Sequence, residues 1–370
     1  MRIGLLTPSL SLEHGTGHYS IELISHLRRV GIQVDVISSK DTPIIKELQP
    51  IHNILPLGDG ANFVRLCAVA PRVSWILRNC DIIHSTVERY AILSACIAHR
   101  RPMFLTAHGS FVHVDDAWRW PLSKMYRWAF SKSVRVMCVS QFTALRAKTV
   151  MPGLRTEVIY SGISIERFNR LVRQQCKGPP TILCVAAIKR RQGIIHLVRA
   201  VAKVREYLPS VRCIVIGTYQ YGPDYLADVR SEIAQLQLQD CVQLLGHVDE
   251  PILLQWYANA DIFDLPAIND KWRFEGYGLA YLEAGAAGLP VIGTKDCGAE
   301  NAIDHGITGL LVFQETLKDD LPKAILQLLL DSDARICMGQ AGRKKAESQS
   351  WERCTTAMID VYRSVITDHQ

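Results

Sequence analysis

One stretch constrains this chain more than any other, Phe274 to Gly293, FEGYGLAYLEAGAAGLPVIG. Helix formers follow Gly278, the Gly288-Leu289-Pro290 triplet stops a helix, and Val291-Ile292-Gly293 reads as a buried strand. The segment is therefore a loop, a helix starting near Gly276 to Gly278, and a parallel strand. Glu275 and Glu283 flank the helix start. Eight residues on a helix correspond to ~800° of rotation and ~12 Å of rise, which sets the two carboxylates within ~80° of each other and two turns apart. That spacing suits one extended ligand gripped at both ends, not two acids sharing a proton. Gly276 and Gly278 leave the backbone bare where the helix begins, and a helix N-terminus with free N–H groups is an anion site. A phosphate in the middle and hydroxyls at both ends describe a nucleotide sugar. Taken singly, Glu275 also reads as a capping acid and Glu283 as an exposed helix residue.

Strand and helix alternate through the rest of the chain. Arg2 to Pro8 is a short apolar run, Ser9 to Gly17 a loop containing Gly15-Thr16-Gly17, and His18 to Val30 a helix with Ile21, Leu23, Ile24 and Leu27 at helical spacing. Ile32 to Ser38 closes the first βαβ unit. Further strands are expected at 81–85, 103–107, 134–139 and 157–160, then at 181–186, 212–217, 242–245 and 261–266. Helices are expected at 61–77, 90–99, 193–207 and 252–258, and, toward the end, at 321–330, 334–347 and 351–366. This order implies parallel sheets with helices on both faces. At 370 residues the chain has room for two domains, and Arg170 to Pro180, RLVRQQCKGPP, reads as the linker.

Hydrophobic residues make up 48% and charged residues 21%, which excludes a disordered chain. No apolar run reaches the ~18 residues of a membrane span, and the N-terminus reads at once as a strand, so a cytoplasmic protein is expected. The eleven cysteines include no CxxC, and Cys138, Cys184 and Cys213 lie in strand-like runs. Free buried thiols fit this better than disulfides or zinc. The charge of +6 suits a polyanionic ligand or an anionic surface. Trp118 to Arg135 holds three Trp, a Tyr, a Phe, five Arg or Lys, and no acid. It can lie on an anionic membrane or cover a core with its aromatics. No nucleic-acid partner is expected.

The segment Glu275-Gly-Tyr-Gly-Leu-Ala-Tyr-Leu-Glu283 resembles the E-x7-E signature of retaining GT-B glycosyltransferases of family 4. Gly298-Ala299-Glu300-Asn301 and Gly306 to Val312 resemble that family's following segments, and Ser161 to Ser164 with Phe168 resembles the turn that ends its first domain. The resemblance implies an α/β, GT-B chain of two doubly wound Rossmann-like domains facing across a cleft. Their expected limits are 1–172 on the acceptor side and 178–352 for the nucleotide sugar, with a helix at 353–370 crossing back to the first. It also implies that Glu275 lies by the donor hexose, that the backbone of Gly276, Tyr277, Gly278 and Leu279 meets the diphosphate, and that Glu283 holds the ribose hydroxyls. His108, at a strand end before Gly109, matches a histidine near the donor sugar, whereas His84 reads as structural. Gly15, Thr16 and Gly17 match a Gly-rich loop that approaches the donor phosphate and the acceptor. The donor would be UDP- or GDP-linked and the acceptor a glycan or a lipid-linked glycan. A place on the inner face of the membrane through 118–135 is part of this expectation. No cofactor and no metal are expected; Asp331-Ser332-Asp333 falls between two helices and reads as an N-cap.

One segment departs from the family. Its G-R-L-x-x-x-K-G loop supplies an Arg and a Lys to the diphosphate; aligned on Gly193, those positions here are Ala187 and Gln192. Lys189, Arg190 and Arg191 stand between them as substitutes. The expected activity is a metal-independent retaining hexosyl transfer in polysaccharide or glycoconjugate synthesis. The alternatives are a non-catalytic nucleotide-sugar- or glycan-binding relative, which the altered loop would suit, and a GT-B epimerase or phosphorylase.

Overall fold

The computed structural model describes residues 1–11, 15–43, 45–56, 63–169, 171, 178–220 and 222–368. Two compact units divide the chain, residues 1–162 with 351–370, and residues 163–350. The division falls inside the Ser161 to Ser164 turn, so that Ile163 to Leu171, expected in the first domain, belong to the second unit. Of the expected linker, 170 and 172–177 lie outside the described residues.

In the first unit the strands are β1 (Arg2–Leu6), β2 (Gln33–Ser39), β3 (Ile51–Leu55), β4 (Ile82–Ser85), β5 (Met103–Ala107), β6 (Arg135–Cys138) and β7 (Thr156–Val158). Its first helices are α1 (Gly15–Arg29), α2 (Phe63–Ile76), α3 (Ala91–Ala98), α4 (Val114–Ala117), α5 (Leu122–Lys132) and α6 (Gln141–Val150). The strands form one parallel sheet in the order β3-β2-β1-β4-β5-β6-β7, with Ile3 beside both Val34 and Ile82. Leu23, Ile24 and Leu27 of α1 are fully buried against it, as their spacing predicts. The glycine-rich segment is not a loop. Gly15 to Gly17 form the first turn of α1, and a Cβ on Gly17 would lie 2.4 Å from the Ser11 carbonyl oxygen and 2.7 Å from that of Ser9. Gly17 is needed so that the helix can start against the preceding backbone.

The second unit holds β8 (Thr181–Val185), β9 (Arg212–Ile216), β10 (Val242–Gly246), β11 (Ile262–Asp264), β12 (Val291–Thr294) and β13 (Gly309–Val312). Between and after them run α7 (Ile194–Arg205), α8 (Pro223–Gln235), α9 (Glu250–Asn259), α10 (Leu279–Ala286), α11 (Ala299–Ala302), α12 (Leu317–Leu330) and α13 (Ser332–Ser348). This sheet is also parallel, in the order β10-β9-β8-β11-β12-β13. Asp331 caps α13, accepting the Ala334 N–H at 2.9 Å. The last helix, α14 (Trp351–Asp368), belongs to the first unit, where Trp351, Met358 and Tyr362 join the core of α1 and β1.

A doubly wound sheet binds ligands beyond the carboxyl ends of its strands, where the winding reverses. In the first unit that point lies between β1 and β4, and in the second between β8 and β11.

Candidate functional site

The reversal point of the second sheet is where Glu275 meets a cation. The segment after β8 carries a tight turn, Arg190–Gln192, and the segment after β11 carries Glu275. Arg191 Nη1 donates to Glu275 Oε2 at 2.8 Å, and Gln192 Nε2 donates to the same oxygen at 3.1 Å. The turn is fixed because the Arg191 carbonyl accepts the Ile268 N–H at 2.8 Å. The Glu275 side chain is only 13% exposed, so this pair is far less screened by water than a surface bridge. Arg190 turns away and pairs in solvent with Asp228 at 2.8 Å. Successive residues of a tight turn point about 120° apart, which separates the neighbouring guanidinium groups.

Glu275 is not on the helix. Gly278 precedes α10 with φ of +82°, a left-handed conformation that a glycine adopts without strain, and a Cβ there would lie 2.4 Å from the Tyr281 ring. The Glu275 side chain lies beside that same Cβ position, 3.7 Å away. The helical geometry expected for the whole Glu275 to Glu283 span therefore holds only from Leu279 onward. Helix α10 starts with no side-chain cap, and of its first turn the Tyr281 N–H is already bonded to the Gly278 carbonyl at 3.0 Å; an uncapped helix start is where an anion is favoured. At its far side Glu283, 16% exposed, is clamped: Arg167 Nη1 donates to Oε1 at 3.1 Å and the Tyr257 hydroxyl to Oε2 at 3.1 Å.

In the first unit the segments after β1, β4 and β5 bring α1, Thr86, Glu88 and His108 together. His108 Nε2 lies 2.8 Å from the Thr86 carbonyl oxygen, so that nitrogen carries the proton and Nδ1 is left as an acceptor. Its ring meets Tyr19 edge-on at 4.6 Å. Burial lowers the His108 pKa to about 4, so the ring is neutral at neutral pH. Glu88, buried, accepts the His108 N–H at 2.8 Å and holds the segment; burial raises its pKa to about 7 against the opposing backbone donors. His84 is a core residue, bonded to Thr106 Oγ1 at 2.9 Å and to the Tyr362 hydroxyl at 2.6 Å.

A cavity of about 500 Å³, lined by Arg127, Lys132, Val134, Met151, Leu154 and Arg155, shares no residue with either group. Its residues precede β6 and β7, at the strand ends opposite to His108, away from where a parallel sheet places its chemistry.

Two family models match along the chain, Glycosyltransferase Family 4 over residues 14–167 and Glycosyl transferases group 1 over residues 167–345. The chain belongs to the group 1 glycosyltransferases of GT-B fold. One relative is the GDP-mannose-dependent alpha-(1-6)-phosphatidylinositol monomannoside mannosyltransferase of Mycobacterium tuberculosis, 30% identical over 62% of this chain and 61% of its own length. Another is the D-inositol 3-phosphate glycosyltransferase of Pseudarthrobacter chlorophenolicus, 28% identical over 58% of this chain and 51% of its own. The chain thus spans about three fifths or less of the curated relatives it matches. Among solved structures, sucrose-phosphate synthase of Thermosynechococcus elongatus is 20% identical with a TM-score of 0.85, both chains being covered in full. Anabaena HepE in complex with UDP and glucose is 19% identical with a TM-score of 0.81, over 98% of this chain and 100% of that one.

In this member of the family both glutamates stand out in the sequence, but what holds them does not. Arg167 and Tyr257 were missed, and so was Glu88. Arg167 stands next to Phe168 in the turn segment that the sequence does mark; Tyr257 and Glu88 carry no signal of their own. Lys189, Arg190 and Arg191 are the expected substitute cations. Of these, Arg191 is at Glu275 and Arg190 is at Asp228. Tyr277 is buried and Leu279 opens α10.

Proposed function

We propose that this chain transfers a hexose, with retention, from a nucleoside diphosphate sugar to a glycan or lipid-linked acceptor. The observation that carries the proposal is the Arg191–Glu275 pair at the reversal point of the second sheet, beside the uncapped start of α10. In this reading Glu275 positions the hexose, the N–H groups around Gly278 and Leu279 and the Arg191 guanidinium face the diphosphate, and Glu283 takes the ribose hydroxyls. The sugar–phosphate bond breaks through an oxocarbenium-like state, and the protein positions the sugar and stabilises the departing diphosphate with fixed dipoles and a cation, without a metal. Within the first unit, neutral His108 offers Nδ1 as an acceptor to a ligand hydroxyl.

The relative's name specifies GDP-mannose, and HepE was solved with UDP and glucose; both bases enter the test. The protein is titrated with UDP, GDP and ADP and their sugar conjugates, and released sugar and product are scored by mass spectrometry. One nucleotide is expected to bind, with sugar release. Arg191→Ala is expected to lower turnover roughly 10- to 100-fold, the loss of one charge-assisted bond. Binding without release over long incubation with acceptor extracts would favour a non-catalytic relative, the reading suggested by Gln192 in place of a lysine.

A lipid-linked acceptor is supported by α5. Tyr126, Ala129 and Phe130 face the core, and Trp118 stacks on Tyr126 at 3.6 Å. Trp120 and Trp128 remain 74% and 42% exposed among the cations of 118–135. No helix among the described residues is long and apolar enough to cross a membrane. The protein is expected to sediment with phosphatidylglycerol-containing vesicles at low salt and to come off at high salt. Failure to sediment at low salt would favour a soluble acceptor.

A further inference from the structure

We infer that Arg167 is a positioning residue for the nucleotide ribose, acting through Glu283; the inference rests on the ribose reading of Glu283 above. Arg167 lies in the short helical turn Ile165–Phe168 at the start of the second unit, more than a hundred residues before Glu283. Its guanidinium is bound on two sides. Nε donates to Glu250 Oε1 at 2.6 Å, and Nη1 donates to Glu283 Oε1 at 3.1 Å. Glu250 opens α9, and Tyr257 of the same helix, fully buried, donates to the other oxygen of Glu283. One helix therefore anchors the arginine and supplies the second clamp.

A carboxylate on its own rotates broadly about its last torsion. With a guanidinium on Oε1 and a phenol on Oε2, that rotation is stopped. Each carboxylate oxygen offers two acceptor directions, so one on each remains. Two fixed acceptor sites in one plane match a vicinal diol, which donates two O–H groups. The fork geometry of arginine lets one side chain hold both carboxylates; a lysine ammonium has no such fork. Burial lowers the Arg167 pKa, but Glu283 and Glu250 more than offset it, and the group stays charged.

The test is calorimetric titration of UDP and GDP and their 2′,3′-dideoxy counterparts into the wild type, Arg167→Gln, Glu283→Gln and the double variant. For whichever base binds, Arg167→Gln is expected to weaken the ribonucleotide by about ten-fold and the dideoxynucleotide by less than about two-fold. The double variant should bind the ribonucleotide no more weakly than Glu283→Gln alone, because Arg167 acts through that carboxylate. Arg167→Lys, which keeps the charge and guards against a general loss of fold, is expected to fall between wild type and Arg167→Gln. Equal losses for both nucleotides, or additive losses in the double variant, overturn the inference while leaving Glu283 at the ribose. A Glu283→Gln variant that does not distinguish the two nucleotides overturns the ribose reading itself, and the inference with it.

Discussion

Glu275→Ala is expected to lower kcat by about 10²–10³-fold and to weaken nucleotide binding far less, since the role proposed for the carboxylate is at the sugar and not at the base. Two effects add. In the proposed role the hexose loses its positioning group, and Arg191 loses the partner that aims it, for its guanidinium is bound to Glu275 Oε2 at 2.8 Å. Gln192 Nε2 loses the same partner, in a side chain that is buried. Glu275→Gln keeps one acceptor oxygen and should recover part of the rate. Steady-state kinetics with the donor identified by titration, alongside calorimetric nucleotide binding, separates the two quantities. Near-normal turnover in Glu275→Ala would remove this residue from the site.

The largest expected effect on stability lies behind the site. Asp264, on β11 between β8 and β12, is fully buried, and neither carboxyl oxygen makes a hydrogen bond to any described group. Burial raises its pKa well above the ordinary 3.8, with Cys184, Cys213 and Tyr281 near enough to feel its charge. An unpaired polar group of this kind costs stability, so Asp264→Val is expected to stabilise the protein by about 3–4 kcal/mol and to raise Tm by roughly 10 °C. The sign with pH follows from linkage. In the fold Asp264 holds its proton, whereas the unfolded chain releases it above pH 3.8. Wild-type stability therefore falls as pH rises from that value toward the folded pKa, and the advantage of Asp264→Val grows over the same window. Melts of both proteins at pH 5 and pH 8 measure it. A variant less stable than wild type, or a gap that does not widen with pH, would show that this carboxyl has a compensating role.

Much of the fold was legible because buried parallel strands are written as apolar runs and their helices as spaced apolar faces. Val291 to Thr294 and Leu197 to Val204 are where the pattern puts them. The failures have local causes. Gly15 to Gly17 read as a loop because glycine marks turns, but close backbone packing required it inside a helix. The Glu275 to Glu283 spacing reads as one helix because nothing in the composition reveals that Gly278 sits at positive φ. The three cations at 189–191 were equivalent in sequence, and only the turn geometry decided that Arg191 faces inward. Arg167 escaped because its partners, Glu250 and Glu283, come from two later elements that only the tertiary fold brings together.

The first unit is built from two separated pieces of chain, and this has a consequence during synthesis. Trp351, Met358, Tyr362 and Val365 of α14 complete the core formed by Leu5, Tyr19 and Leu23. All of residues 163–350 must leave the ribosome before α14 does. At ~5–20 residues per second, that is a wait on the order of 10–40 s, during which the first sheet shows water an apolar face that its own first 162 residues do not cover. The second unit, encoded later but contiguous, is free to finish first. That uncovered face is an aggregation-prone surface for as long as the wait lasts.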